Sequence, residues 1–240
     1  MPKTNKRWKG KNTLAKKVAK IEETLKKERP EVKTVDTLNR DGNGDPITIN
    51  GPYNGIGNAP YDITGDFIQG VQNMSQLEGN YCRLTSMDLR MMVENVNHPG
   101  NYSRVRLMII RVPNATNLSY NDIFNQVLEY GSPALYNKKT YSSPLKRNTN
   151  INGGYDVMYD KLIHVSAPGA TYAPQNAIKY LRFKKKWKKG LELRFSGTQN
   201  SLSLEKNRIF LFAYDIDVAP DGTGGSSRLT FINRMRYLDD

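Results

Sequence analysis

Strand-like runs separated by turn residues are the feature that most limits how this chain can fold. From residue 67 onward, apolar and polar side chains alternate with period two in short segments, and Gly, Pro and Asn punctuate them. Seven runs are clear, and an eighth, weak one falls within 135–149. The clear runs are 81–96, 104–112, 155–166, 178–188, 191–196, 208–217 and 229–238. One helical pattern, at 119–128, interrupts them, and no alternation of strand and helix is visible. The pattern predicts an all-β antiparallel sandwich or barrel.

Positive charge is concentrated at the N-terminus. The 240 residues contain 36 Lys and Arg against 23 Asp and Glu, a net charge of +13. Residues 1–33 hold twelve of the cations and four of the acids, so twelve minus four gives +8 for this segment. The chain therefore reads as a basic arm on a moderately basic body, a balance typical of proteins with a polyanionic partner.

The arm contains one amphipathic helical pattern. Leu14, Val18, Ile21 and Leu25 form a single apolar stripe, and Pro30 ends the helix. We expect the arm to bind nucleic-acid phosphates, with Trp8 stacking on a base; a solvated helix with no ligand is the alternative. The candidate residues are Lys3, Lys6, Arg7, Trp8, Lys9, Lys11, Lys16, Lys17 and Lys20.

Residues 34–66 are rich in Gly, Asn and Pro, and this composition predicts an extended linker with turns. The expected organisation is an arm at 1–33, a linker at 34–66 and a β domain at 67–240.

Several function classes are disfavoured. Cys82 is the single cysteine, so no disulfide can form within the chain, and only two histidines could assist it in a zinc site. No signal-peptide core or transmembrane run is visible, which predicts a soluble protein made in a reducing compartment. No nucleophile, base or metalloprotease motif is present, so we expect no enzyme and no cofactor. His164, among alternating strand residues, is expected to be structural.

The run "IKYLRFKKKWKKGLELRF" (178–195) combines strand periodicity with a dense lysine cluster. Its period-two reading places Leu181, Phe183 and Trp187 on one face. The other face carries Tyr180 and a secondary basic set: Arg182, Lys184, Lys186, Lys188 and, at the turn, Lys189. Lys188, Lys189 and Gly190 are predicted to form a hairpin loop in which Gly190 supplies a positive φ.

Several stretches, taken in order, resemble a known family. They are "FIQGVQNMSQLEGNYCRLTSMDLRMMV" (67–93), "RLMIIRVPNATNLSYNDIF" (106–124), "YDVMYDKLIHVS" (155–166), "FKKKWKKGLELRFSG" (183–197) and "MRYLDD" (235–240). Together with the basic arm, they resemble the capsid proteins of small circular Rep-encoding single-stranded DNA viruses. The chain is also similar to the coat protein of satellite tobacco necrosis virus.

The resemblance implies a single eight-stranded antiparallel jelly roll with two four-stranded sheets, ordered B-I-D-G and C-H-E-F. On this reading, 81–96 is strand B, 104–112 is C, 155–166 is E, 178–188 is F, 191–196 is G, 208–217 is H and 229–238 is I. Strand D would lie within 135–149. Arg104 and Arg106 are then the body positions expected to reach a genome.

The resemblance further implies a T=1 icosahedral shell of about sixty copies around a single-stranded genome. The "YDK" strand favours DNA over RNA, although phosphate contacts by the arm suit both. The expected location is the virion, and the arm's basic residues also match the composition of a nuclear-import signal, which would place the chain in a host nucleus during assembly. Such shells can hold a structural divalent cation, but no ligand cluster for one is visible, and the host receptor is not readable.

Two other classes compete with a capsid protein. A cellular nucleic-acid-binding β-sandwich protein with a basic extension would stay a monomer or join other proteins. A carbohydrate-binding β-sandwich or a sandwich enzyme is the third class.

Overall fold

In a computed structural model, the chain divides into two compact units, Met1–Glu31 and Val32–Asp240. The described residues are 15–21, 32–38, 47–49, 61–65, 67–69, 76–95, 102–114, 127–129, 143–145, 154–166, 177–197, 203–215 and 227–239. In the first unit, residues 15–21 form helix α1, and all seven of its residues are exposed. The described part of the second unit is dominated by β-strands, so the all-β prediction is confirmed.

Eleven strands are described in the second unit. They are β1 (Val32–Leu38), β2 (Ile47–Ile49), β3 (Tyr61–Asp62), β4 (Ile68–Gln69), β5 (Gln76–Leu77), β6 (Tyr81–Asn95), β7 (Tyr102–Asn114), β8 (Asp156–Ser166), β9 (Ala177–Ser196), β10 (Ser203–Asp215) and β11 (Ser227–Asp239). The long strands coincide with the alternating runs of the sequence, because period-two alternation lets each strand bury one face.

The strands pair in the order β1-β11-β6-β9-β10-β7-β8, and every neighbouring pair in this sheet is antiparallel. Strand β2 also pairs with β11, and β3 with β10, while β4 and β5 form a separate parallel pair. Strands distant in this order also touch: the rings of Tyr159 on β8 and Phe183 on β9 lie 5.5 Å apart in a T-shaped arrangement. Tyr61 on β3 contacts Phe231 on β11 in the same way, at 4.9 Å. The sheet therefore folds back on itself, so that β8 lies over β9 and β3 lies over β11.

A single apolar core fills the space between the facing strands. It draws on β1, β6 and β11 as well as on β7, β8 and β10, and Leu89, Leu107 and Phe231 are among its most buried members. A second cluster lies on the opposite side of β7 and β10, around Met108 and Phe212, and Val127 and Leu128 cover it. Strand β7 is thus buried on both faces, which explains why its sequence reads as a nearly continuous apolar run.

Strand β9 corrects the predicted hairpin. It runs unbroken through Lys188, Lys189 and Gly190, so the two runs at 178–188 and 191–196 are one strand. Gly190 has the predicted positive φ, 74°, but it serves a bulge. Leu84 of β6 is the partner of Leu191, and Ser86 is the partner of Lys186. The four residues 187–190 of β9 therefore lie opposite the single residue Thr85 of β6. Sequence composition alone does not distinguish a glycine that closes a hairpin from one that opens a bulge.

The linker expected at 34–66 is also wrong for the residues that the structure describes. Strand β1 begins at Val32 and pairs with β11 over its whole length, and β2 and β3 add two short pairings within the same segment. Strand β1 has alternating buried and exposed residues, as expected for a strand. It was not recognised in the sequence, because the Gly, Asn and Pro residues that follow it dominate the composition of the segment.

The proposed strand letters need correction as well. Strand B lies at the edge of a B-I-D-G sheet, whereas 81–96 corresponds to β6, which has β11 on one side and β9 on the other. The helix predicted at 119–128 and the D strand predicted within 135–149 fall almost entirely outside the described residues. The described parts of those ranges include Leu128 and Leu145, which form an isolated antiparallel bridge.

Replacing Gly190 with alanine should destabilise the body. A Cβ at this position would lie 2.9 Å from the Cβ of Arg83, and alanine is strained at a φ of +74°. We expect Gly190→Ala to lower the free energy of unfolding by about 1–3 kcal/mol, measured as a shift in the urea or thermal unfolding midpoint. Gly79→Ala is the matched control, because a Cβ there meets no atom within 4 Å. Equal midpoints for the two variants would show that the bulge does not require glycine.

Candidate nucleic-acid interface

The described part of the arm presents an exposed basic helix. Lys16, Lys17 and Lys20 all lie on α1 and are exposed. The two described members of the predicted apolar stripe, Val18 and Ile21, are 47% and 58% exposed. The remaining arm candidates lie outside the described residues: Lys3, Lys6, Arg7, Trp8, Lys9 and Lys11.

Lys33 belongs to the body and not to the arm. It is the second residue of β1, and only 5% of its side chain is exposed. Its Nζ donates to Asp239 Oδ2 at 2.8 Å, to Glu78 Oε1 at 2.7 Å and to the Gln76 carbonyl at 3.2 Å. Burial alone would lower the pKa of Lys33, but the hydrogen bonds and charges of Asp239 and Glu78 outweigh it and raise the pKa. Without Lys33, the first unit has eleven cations and four acids, so its net charge is +7 and not +8.

Arg106 is a structural residue, which corrects its predicted role in nucleic-acid binding. The side chain is 2% exposed. Its Nε donates to Asp160 Oδ1 at 2.9 Å and its Nη2 to Asp160 Oδ2 at 2.7 Å, while Nη1 donates to the Ser143 carbonyl at 2.8 Å. A buried guanidinium that donates three hydrogen bonds to two partners within the body is not available to a phosphate. Arg106 lies on the side of β7 opposite the main core, and other residues cover that side.

Arg104, the other predicted body residue, lies two positions earlier on the same strand. It is half-buried, and its backbone partner on β8 is His164. The structure therefore does not bring Arg104 together with the lysine run of β9.

The basic side of β9, which its alternation assigned to a single face, is exposed. Leu181 and Phe183 are buried, whereas the alternate positions from Tyr180 to Lys188 are exposed. Lys184, Lys186 and Lys188 are among those exposed residues, and Lys189 is exposed in the bulge. Arg182 donates to both carboxylate oxygens of Asp88 on β6, from Nε at 2.8 Å and from Nη2 at 2.6 Å.

Strands β6 and β11 extend this surface with cations that sequence reasoning missed. Arg90 is the backbone partner of both Arg182 on β9 and Ile232 on β11, while Arg234 and Arg236 follow on β11. We call the outward side of these three strands the basic face, defined by Arg90, Arg182, Lys184, Lys186, Arg234 and Arg236. The alternation of "LRMM" and "NRMRY" places each of these arginines on the outer side of its strand. Only the strand order shows that they share a surface.

Two carboxylates partly neutralise the basic face. Asp88 accepts from Arg182, and Asp36 of β1 accepts from Arg234 at 2.7 Å and 2.6 Å. Hydrogen bonds from these arginines hold the pKa of each carboxyl below its ordinary value of 3.8. Six cations minus two acids leave a net charge of +4 on the face.

Comparison of the chain with protein-family models and with curated proteins found no match. The functional proposal therefore rests on the chain's own residues and fold. Among the described residues, no helix is long and apolar enough to cross a membrane.

Removing Arg106 should weaken the fold and leave nucleic-acid binding unchanged at a temperature where the variant is folded. Arg106→Gln leaves the Asp160 carboxylate without its partner, and hydrogen bonds to charged groups contribute about 1.5–3 kcal/mol each. We expect a lower thermal unfolding midpoint than for the control Lys161→Gln on the neighbouring strand, whose side chain is exposed. Weaker oligonucleotide binding by folded Arg106→Gln would restore the original prediction.

Acid should weaken the ion pairs that cross the basic face. The folded-state pKa values of Asp36 and Asp88 lie below those of the unfolded chain, so the unfolded chain binds more protons as the pH falls. Their stabilisation is present above the unfolded pKa, near 3.8, and is lost as the pH drops through the folded values. We expect Asp36→Asn/Asp88→Asn to lose less stability than the parent between pH 6 and pH 3, measured as unfolding midpoints. Parallel decreases for both proteins would contradict this assignment.

Proposed function

We propose that this chain is the capsid protein of a small single-stranded DNA virus, that its body is a jelly roll, and that copies of it assemble into a T=1 shell. The order of the strands is the observation that carries the proposal. When β1 is taken as strand B, β11 as I, β6 as D and β9 as G, the first four strands read B-I-D-G. Strands β3, β10, β7 and β8 then read C-H-E-F. With these letters both sheet orders agree with those of the family: β6 becomes D instead of B and β7 becomes E instead of C, while β10 and β11 keep the letters H and I.

The new letters also place the basic arm directly before the first strand of the jelly roll. Strand B is the first strand of a jelly roll, and here it starts at Val32, directly after the first compact unit. The basic segment therefore directly precedes strand B in the sequence. A tethered cationic segment suits packaging, because phosphate neutralisation requires no sequence code.

The arm's charge is large enough to matter for a genome. Sixty chains at +7 would supply about 420 positive charges, if each neutralises about one phosphate. This is a substantial part of the charge of a small genome, and divalent cations or polyamines would balance the rest. Single-stranded DNA is proposed over RNA on the "YDK" resemblance alone.

Particle formation tests the proposal directly. Purified full-length chain should form uniform particles in electron microscopy, with a mass near sixty times 27.3 kDa, about 1.6 MDa, by light scattering. A monomer under all conditions of salt and pH would overturn the capsid assignment and favour a cellular nucleic-acid-binding protein.

Charge removal from α1 tests the arm. Lys16→Gln/Lys17→Gln should reduce the nucleic acid that copurifies with the full chain, measured as the 260/280 nm absorbance ratio, because each lost cation removes a phosphate contact. The control Lys161→Gln/Lys206→Gln removes the same charge from exposed positions on β8 and β10. If both variants retain as much nucleic acid as the parent, the arm is not the packaging element.

A further inference from the structure

The basic face adjoins an open apolar groove that the proposed packaging role of the arm does not use. The groove has a volume of about 630 Å³. Its lining includes Tyr180, Met92, Thr230 and Ile232, and Arg90 and Arg182 also line it. The groove and the basic face therefore share these two arginines and form one continuous surface.

Tyr180 is the most exposed large hydrophobic residue that the structure describes, with 73% of its surface accessible. Its backbone partner is Met92, and Ile232 on β11 is 50% exposed. An aromatic ring beside an apolar surface is a stacking platform that any nucleobase can use, because every base has a π face.

The cations next to Tyr180 are poorly balanced by the sheet itself. Arg90 and Arg182 occupy directly opposed positions on β6 and β9, and like charges opposite each other destabilise a sheet. Asp88 and Asp36, the two acids that lie among these six cations, pair with Arg182 and Arg234. This leaves Arg90, Lys184, Lys186 and Arg236 to face solvent with less compensation. Strand spacings place the six cations of the face within a patch of about 10 by 13 Å.

We infer that the basic face and its groove bind single-stranded nucleic acid in the body of the protein, independently of sequence. Tyr180 stacks on a base, while Arg90, Lys184 and Lys186 contact phosphates. The identity of this partner rests on the proposed function, but the surface does not require a shell to bind it. Duplex DNA fits less well, because its bases are stacked inside and would leave the groove unused. A second copy of the same face is also disfavoured, since it would oppose +4 with +4.

Binding of fluorescein-labelled oligo(dT) to the full chain, followed by anisotropy, tests the inference. Tyr180→Ala should weaken binding by about five-fold or more, the smaller end of a lost stacking contact. Tyr180→Phe keeps the ring and should weaken binding less. Neither substitution should change the affinity for duplex DNA of the same length.

Salt dependence tests the cations. Arg90→Gln/Lys186→Gln should reduce the slope of log affinity against log salt by about 1.4, since each phosphate contact on a single strand contributes about 0.7. Lys161→Gln/Lys206→Gln is the matched control for charge and should leave the slope unchanged. Cross-linking of a 5-iododeoxyuridine oligonucleotide should modify the peptide that contains Tyr180.

The inference is overturned if the Arg90/Lys186 variant binds oligo(dT) like its control, or if Tyr180→Ala binds like Tyr180→Phe. It is also overturned if the face variants change particle formation without changing oligonucleotide affinity, since the face would then be a subunit contact. If the parent chain forms particles but the face variants bind oligo(dT) as the parent does, the capsid proposal stands and this site is wrong. If the parent chain is a monomer and the face variants lose oligo(dT) binding, the site stands and the capsid proposal is wrong.

Discussion

The pairing of the last strand with the first holds the body together. Strand β11 lies between β1 and β6, and it also takes β2 on the side of β1. The Lys33–Asp239 ion pair fixes the outer end of this arrangement and joins residues 206 positions apart. Because such pairings are non-local, the sheet can close only after almost the whole chain is available, and slow folding is typical of proteins with this contact pattern.

The two outer surfaces of the folded sheet have different chemistry, although both arise from the same alternation. On β7 and β10, the outer side chains are apolar, and Val127 and Leu128 cover them. On β9 and β11, many of the outer side chains are cationic and exposed, and Arg90 of β6 lies between them. The body therefore has one outer surface that is apolar and covered and another that is charged and exposed.

Much of the fold could be predicted from the sequence, because strand alternation is a local property. The runs that became β6, β7, β8, β10 and β11 were visible in this way. Features that depend on distant partners were not. Strand β1 is short, and its burial depends on β11, some two hundred residues away in sequence. The bulge at Gly190 depends on how many residues of β6 lie opposite it.

In the candidate site, too, some features follow from local sequence and others depend on distant partners. The basic side of β9 follows from period two, whereas the adjacency of Arg90, Arg234 and Arg236 requires the strand order. The burial of Arg106 depends on Asp160 and on the backbone of Ser143, which no local pattern connects to it. Sequence reasoning therefore identified one strand of the basic face, and long-range pairing supplied the other two.

The ends of the sheet bear on how copies of the chain can associate. Among the described strands, β1 and β8 stand last in the order, and β8 carries exposed charges at Asp156 and Lys161. Charged edge strands resist the addition of a further strand, because a new neighbour would have to desolvate or oppose those charges. Growth by edge pairing leads to open-ended fibres, whereas closed assemblies form through faces and loops. The charges on β8 therefore disfavour fibrous aggregation when the chain is concentrated.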